Sequence, residues 1–168
     1  MAIREAKISD LDRIMELIGQ AQNYFKANNI DQWQNNYPTS EVILADIHNH
    51  ECYVIEVDRK VLAIMTLTFT VQPEYSNISG ENWKINSAYA TIHRVAVDNE
   101  SKGQGLATEL LDFATAKCSV HRVHSLRTDT YENNKSMQHS LLKNGFDKRG
   151  VIQRAGVADM IGFEKIIK

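Results

Sequence analysis

The sequence has few of the residues whose abundance marks specialised classes of protein. Among its 168 residues are only two cysteines, two prolines and eight glycines. Cys52 and Cys118 are too few to cross-link a small secreted fold, and they lack the spacing of a metal site, which favours a reducing, cytoplasmic location. The scarcity of glycine and proline excludes a collagen-like or linker-like chain.

An excess of one charge and long apolar runs are also absent. The chain has 19 basic and 21 acidic residues and a net charge of −2, so a broad basic face for nucleic acid is not expected, although a small anion can be held locally. No apolar run approaches the roughly 18 residues of a membrane-crossing helix, and the first residues, Met1–Glu5, lack the apolar stretch of a signal peptide. We therefore expect one soluble domain spanning residues 1–168, with no nucleic-acid or membrane partner.

The spacing of apolar residues predicts alternating strands and helices. Helices are expected from a Ser9 cap to about Ala27, from a Ser40 cap onward, from Leu106 to about Cys118, and over Asn134–Lys143. Strands are expected at 2–6, 52–57, 61–71, 87–97, 123–128, 147–152 and 160–166, with a long polar loop at 72–86. Hairpins come first and strand–helix units later, so the fold class is α/β, a central mixed β-sheet flanked by about four helices.

A glycine-containing loop between a strand and a helix is the most informative segment. After the strand ending at Val97, the chain reads Asp98-Asn99-Glu100-Ser101-Lys102-Gly103-Gln104-Gly105, and a helix begins at Leu106. Two glycines allow close approach of the backbone to a ligand, and the free N–H groups and dipole of a helix N-terminus suit a phosphate. Asp98 and Glu100 would repel such an anion, so we expect both to face solvent.

Three phosphate-binding loops are compared with this segment. A Walker loop requires Gly-x-x-x-x-Gly-Lys-Ser/Thr, and no such string occurs. A dinucleotide fingerprint is matched by Gly103 and Gly105 but not by Thr108, although Asp129 lies about 20 residues on, where a ribose-binding acid is expected. The third is a loop that binds the pyrophosphate of CoA.

The third alternative is supported by two motifs in the right order. Lys102-x-x-Gly105-x-Ala107 resembles the Arg/Gln-x-x-Gly-x-Gly/Ala signature of the GNAT acetyltransferase superfamily, with lysine in place of arginine or glutamine. Asn134, followed by the run Leu141-Leu142-Lys143-Asn144-Gly145-Phe146, resembles the superfamily's later Asn…Leu-Tyr-Glu-Lys-x-Gly-Phe segment. The order of elements is also similar, so the resemblance covers nearly the whole chain and implies a GNAT-like fold.

This resemblance implies acetyl-CoA as co-substrate, no metal, and acetyl transfer to an amine of a small molecule or peptide. It assigns the pantetheine arm to the main chain of Val95 and Val97 and to Asn134. It assigns the pyrophosphate to the loop and the first helical turn, namely Lys102, Gly103, Gln104, Gly105, Leu106, Ala107 and Thr108. A non-catalytic acyl-CoA sensor of the same fold is the alternative.

The resemblance also suggests catalytic groups. The Val95 N–H would polarise the thioester carbonyl. His93 precedes Val95 by two positions and shares its face in a regular strand, so it is the candidate base for the amine, with a packed histidine as the alternative. The tyrosine that usually protonates the thiolate is replaced by Leu141. Tyr131, expected in the loop before the last helix, is the preferred substitute, and His139 should face away from Leu141.

The acceptor is expected to bind on the variable segments. Trp33 and Tyr37, together with Trp83 in the 72–86 loop, offer ring faces for a cationic amine, or else they pin loops to the core. Asp129 is a candidate acceptor contact or a cap for the Asn134 helix. The final strand, Met160–Ile166, is expected to be exposed and available for pairing in a possible homodimer.

Overall fold

The computed structural model of the chain describes residues 1–154 and 156–168. Its strands are β1 (Ala2–Glu5), β2 (Cys52–Val57), β3 (Lys60–Thr68), β4 (Ile78–Gly80), β5 (Ala90–Val97), β6 (Ser125–Tyr131), β7 (Asp147–Ile152) and β8 (Met160–Ile166). In the described residues the α-helices are α1 (Leu11–Ala27), α2 (Ser40–His48), α3 (Leu106–Val120) and α4 (Lys135–Lys143). The strands form one mixed sheet in the order β1-β2-β3-β5-β6-β8-β7-β4. The predicted α/β class is confirmed.

The helix caps differ from the predicted ones by one residue. Ser9 lies in a short 3-10 helix, Ile8–Asp10, and the Asp10 carboxylate accepts the Lys7 N–H at 2.7 Å, so Asp10 rather than Ser9 precedes α1. Helix α2 is capped by the Thr39 hydroxyl, which accepts the Val42 N–H at 3.5 Å, and not by Ser40. The Asp10 side chain makes no capping hydrogen bond to α1, whereas Thr39 supplies the oxygen acceptor that the first free N–H groups of α2 require.

The chain forms two compact units, and the prediction of a single domain stays a prediction. The first unit comprises Met1–Leu67 and His93–Leu110. In it β1, β2 and β3 pair antiparallel, and the β2–β3 hairpin turns through Asp58 and Arg59, which have φ of 49° and 64°. Its core is apolar side chains of α1, α2 and the strands, among them Ile14, Leu17, Ile18, Ile43, Ile47, Val54 and Ile64.

The second unit comprises Thr68–Ile92 and Leu111–Lys168. Strand β8 lies between β6 and β7 and pairs antiparallel with both, so the prediction of an exposed final strand available for a homodimer is wrong. Strand β4, within the predicted 72–86 loop, pairs antiparallel with β7. A cluster of Tyr75, Trp83, Ile152 and Met160 forms part of its core.

Candidate active site

Strand β5 is not regular, and the irregularity falls at the candidate site. Its parallel pairing with β6 joins Ala90 to Leu126 and Thr91 to Arg127, both at its beginning. Arg94 has a φ of 52°, and a left-handed residue other than glycine costs roughly 1–2 kcal/mol. The prediction that His93 and Val95 share a face assumed a regular strand, so that assumption is wrong. His93 and Val95 are both half-buried.

The loop from residue 98 to residue 105, here called the β5–α3 loop, has the features of an anion-binding turn. Gly103 and Gly105 have φ of 79° and 83°. Residues that carry a Cβ adopt such angles only with strain. A Cβ on either glycine would meet no atom within 4 Å. Residues 102–105 are exposed, and α3 begins directly afterwards at Leu106. The open space beside the two glycines, directly before a helix N-terminus, therefore suits a diphosphate.

Asp98 is buried, so the prediction that it faces solvent is wrong. It is 2% exposed, and its carboxylate accepts hydrogen bonds from Arg13 at 2.7 Å and Gln20 at 3.1 Å. The Lys60 ammonium lies 3.3 Å away. Burial raises the pKa of Asp98, but the hydrogen bonds from Gln20 and Lys60 and the charge of Arg13 outweigh it, so the net pKa is below its usual value. The repulsion expected from Asp98 is thus neutralised, whereas Glu100 is exposed as predicted.

One face of α1 holds the β5–α3 loop. Arg13, Gln20 and Tyr24 recur at helical spacing along it. The Gln20 amide donates to Asp98 and accepts the Asn99 N–H at 2.8 Å. The Lys102 ammonium lies 4.5 Å from the centre of the Tyr24 ring, a cation–π contact. These contacts could not be predicted from local sequence, because they join residues far apart in the chain.

A buried ion-pair network adjoins Val95 in the first unit. The Arg94 guanidinium donates to both carboxylate oxygens of Asp46, at 2.6 and 2.8 Å. The Thr66 hydroxyl donates to the same carboxylate at 2.8 Å, and Arg94 also donates to the Tyr37 hydroxyl at 2.6 Å. Burial lowers the pKa of Arg94, but Asp46 and Tyr37 outweigh it and leave that pKa raised. Arg94 and Asp46 were not predicted as site residues, because nothing in the local sequence marks a buried pair.

The residues of the later motif lie in the second unit. Asn134 is buried and caps α4, its side-chain oxygen accepting the Met137 N–H at 3.2 Å. Tyr131 is the last residue of β6 and pairs with Met160. The prediction that Tyr131 lies in a loop is therefore wrong. Leu141 is fully buried, while His139 is exposed. The prediction that His139 faces away from Leu141 is therefore confirmed.

Two of the predicted acceptor residues are packed rather than open. Trp83 is 7% exposed, its Nε1–H donates to the Tyr75 carbonyl at 2.8 Å, and the Arg127 guanidinium lies 4.4 Å from its ring centre. Trp33 packs edge-on against Phe25, with ring centres 5.5 Å apart. These contacts favour the alternative in which the tryptophans pin loops to the core. Tyr37, by contrast, is exposed.

Asp129 is a buried carboxylate with a cationic partner. Arg154 donates to it at 3.0 Å and also lies 2.9 Å from a Glu74 oxygen. Burial raises the pKa of Asp129, and the Arg154 charge opposes that rise without cancelling it. The alternative in which Asp129 caps α4 is wrong, because Asn134 does so. An acceptor ammonium that used Asp129 would compete with Arg154.

The described part of the chain, residues 1–154 and 156–168, has neither a metal cluster nor a membrane-crossing helix. Within it no three His, Cys, Asp or Glu side chains are grouped so that they could hold a metal ion. Nor is any helix in that part long and apolar enough to cross a membrane. Two of the histidines have other contacts. His50 pairs with Glu5 at 2.9 Å, and His124 contacts the Ile167 carbonyl oxygen at 2.9 Å.

The chain is similar to solved structures over nearly its whole length. A GNAT-family acetyltransferase from Streptococcus agalactiae is 29% identical, with a TM-score of 0.89 over 99% of this chain and 95% of that one. A provisionally assigned acetyltransferase from Staphylococcus aureus is 27% identical, with a TM-score of 0.77 over 100% of both chains. A ribosomal-protein-alanine N-acetyltransferase from Brucella melitensis, 18% identical with a TM-score of 0.69 over 99% of each chain, shares the fold.

A match to a protein-family model identifies the family. A comparison with curated proteins finds no match. The family model described as "Acetyltransferase (GNAT) family" matches residues 17–146, which is most of the chain. That range includes the β5–α3 loop and the whole later motif from Asn134 to Phe146. The chain belongs to the GNAT family of acetyltransferases.

Proposed function

We propose that the protein is an acetyl-CoA-dependent N-acetyltransferase that transfers acetyl directly to a primary amine of a small molecule or peptide. The observation that carries the proposal is the β5–α3 loop, whose left-handed glycines leave open space before the N-terminus of α3. GNAT enzymes use acetyl-CoA, and this loop matches the residues that hold its pyrophosphate in the family.

The charges around the loop support the binding of a diphosphate. Lys102 is exposed, and its side chain lies over the Tyr24 ring beside the loop. The buried Asp98 carboxylate is neutralised by Arg13 and Lys60. Amides of residues 103–108 and the Thr108 hydroxyl are the donors that we assign to the phosphates. Asn134 and the main chain of Val95 and Val97 are assigned to the pantetheine arm.

The chemistry requires a base, because an alkyl ammonium with a pKa of about 10 is not a nucleophile. His93 takes the proton from the attacking amine. The Val95 N–H donates a hydrogen bond to the thioester oxygen as negative charge develops there. The amine nitrogen forms the new bond to the acetyl carbon, and the carbon–sulfur bond breaks to release CoA thiolate.

The leaving thiolate needs a proton from an acid or from water. Leu141, fully buried and apolar, replaces the usual tyrosine. Tyr131 is our candidate, with water as the alternative, because a thiol pKa near 8.5 makes the thiolate a tolerable leaving group. The same replacement favours a second candidate function, an acyl-CoA sensor that binds without turnover.

Trp33, Tyr37 and Asp129 are each proposed as a contact for the acceptor, and Trp83 is assigned a packing role. One structure of the same fold is a ribosomal-protein-alanine N-acetyltransferase, so a peptide amine is a class to test beside small amines. We expect an ammonium group to be attracted to ring faces and to Asp129.

The test combines binding with turnover. Calorimetry with acetyl-CoA and with CoA should register saturable binding, and absence of both would refute the proposal. Release of CoA thiol is then followed with spermidine, lysine and an alanine-initiated tripeptide amide. Turnover with any of them supports the enzyme, and binding without turnover on a broader panel favours the sensor.

His93 is tested by His93→Gln, which removes the titrating group. General-base catalysis contributes about 10²-fold or more, so kcat should fall by that factor near pH 7 while the acetyl-CoA KM changes little. His139→Gln is the matched control, because His139 is exposed on α4. An unchanged rate for His93→Gln across the neutral range would rule out the base.

A further inference from the structure

The direction of the Val95 N–H is set by the residue before it. That N–H belongs to the peptide group joining Arg94 to Val95, and a peptide group is planar. The backbone angles of Arg94 therefore determine where the donor points. Arg94 has a φ of 52°, so this donor depends on a conformation that a strand residue does not adopt unaided.

The Arg94 side chain is held on several sides. Its Nε and Nη2 donate to the two oxygens of Asp46 in α2, at 2.6 and 2.8 Å. Such a pair of parallel hydrogen bonds fixes the orientation of the guanidinium in addition to stabilising it. Thr66 of β3 donates to Asp46 at 2.8 Å, which in turn fixes the carboxylate.

The guanidinium of Arg94 has a further contact, with Tyr37. Its Nη1 donates to the Tyr37 hydroxyl at 2.6 Å. Tyr37 belongs to the segment between α1 and α2, on which the acceptor is proposed to bind. The Arg94 guanidinium thus contacts both α2 and this segment, while the backbone of Arg94 orients the Val95 N–H.

A contribution to stability alone does not account for this pair. Buried ion pairs are often replaced by apolar side chains with no loss of stability, because desolvation offsets the attraction between the charges. What an apolar pair cannot reproduce is the two-bond geometry between Arg94 and Asp46. The network therefore suits a residue whose orientation matters.

We propose that Arg94 is a positioning residue for acetyl transfer. Its ion pair with Asp46 holds the 94–95 peptide so that the Val95 N–H points at the thioester carbonyl. Arg94 does not touch the reacting atoms in this role. The inference rests on the proposed function, since it assumes that acetyl-CoA binds along β5.

The experiment measures carbonyl polarisation without requiring an acceptor. Acetyl-CoA labelled with carbon-13 at the carbonyl is bound to the protein, and isotope-edited infrared spectroscopy gives its stretching frequency. A hydrogen bond from Val95 lowers that frequency relative to the free ligand. The variants are Arg94→Lys, which loses the two-bond fork, and Asp46→Asn, which is isosteric. Calorimetry gives the Kd of each.

The control is Arg149→Lys in the second unit. Arg149 pairs with Glu81 at 3.0 Å, and its side chain is 11% exposed against 13% for Arg94. We expect Arg149→Lys to keep the wild-type frequency shift. Arg94→Lys and Asp46→Asn should each lose at least half of it, while their Kd for acetyl-CoA stays within threefold of wild type.

The outcomes separate the two proposals. Failure of the wild-type protein to bind acetyl-CoA overturns the proposed function and this inference with it. Binding with a full frequency shift in both variants overturns the inference alone, as does binding by wild type without any shift. Circular dichroism checks folding, and if Arg94→Lys does not fold, Asp46→Asn decides.

Discussion

Replacing Asp98 by asparagine tests how strongly buried charge holds the start of the β5–α3 loop. The Asp98 side chain is 3% exposed and accepts from Arg13 at 2.7 Å and from Gln20 at 3.1 Å. Asparagine removes the charge and turns one acceptor into a donor facing donors. Hydrogen bonds to charged groups contribute about 1.5–3 kcal/mol. Because Arg13 and Lys60 are partly exposed and regain some hydration, we expect a loss of about 2 kcal/mol.

The pH dependence of this loss follows from the lowered pKa of Asp98. A carboxylate whose folded pKa lies below its unfolded value, about 3.9, contributes its full stability above the unfolded value and loses it as the pH falls toward the folded one. The difference between wild type and Asp98→Asn should therefore be constant from about pH 7 to pH 5 and shrink below about pH 4.

Urea unfolding followed by tryptophan fluorescence measures the difference, and a loss of about 2 kcal/mol corresponds to a melting temperature lowered by roughly 4–8 °C. Glu16→Gln is the matched control. Glu16 pairs with the same Arg13 at 2.8 Å but is 64% exposed, so its loss should stay within about 0.5 kcal/mol. If Asp98→Asn costs no more than Glu16→Gln, the buried charge does not hold the loop.

Two further predictions concern packing and the thiols. A Cβ on Gly150 would lie 2.1 Å from the Ser79 carbonyl oxygen, so Gly150→Ala should lower the free energy of unfolding by at least about 1–3 kcal/mol. In α1, a Cβ added to Gly19 would meet no atom within 4 Å, so Gly19→Ala should raise the free energy of unfolding by about 0.5–1 kcal/mol. A variant whose melting temperature equals that of wild type would contradict the prediction made for it. Burial raises the pKa of Cys52 to about 12 and that of Cys118 to about 11. Mass spectrometry should therefore find neither alkylated by iodoacetamide at pH 8 before unfolding, and rapid native alkylation would refute this.

The elements that could be predicted from sequence are those whose signals are local. Helix α1 ends at Ala27 as its apolar spacing indicates, and β7 and β8 have the predicted bounds. The start of β7 was predictable because Asn144 and Gly145 end the helical pattern of α4 just before it. The β5–α3 loop was found for the same reason, since its glycines are adjacent to the strand and helix that they join.

What the sequence missed depends on partners distant in the chain. Strand β4 has only three residues in a polar segment, and it exists because β7, some 70 residues later, pairs with it. Asp98 was expected in solvent because its charge would repel a bound anion, and its neutralising partners Arg13 and Gln20 lie 85 and 78 residues away in the sequence. The left-handed Arg94 carries no local signal either, because arginine is not a residue that favours positive φ.

The two missed charge pairs have a common consequence for β5. Arg94 and Asp98 enclose the stretch Val95–Val97, whose main chain is proposed to bind the pantetheine arm. Asp46 of α2 holds one end through Arg94, and Arg13 of α1 holds the other through Asp98. A main-chain donor can act on a ligand only if its direction is fixed before binding. Side chains that anchor both ends supply that fixation without using the main-chain donors themselves.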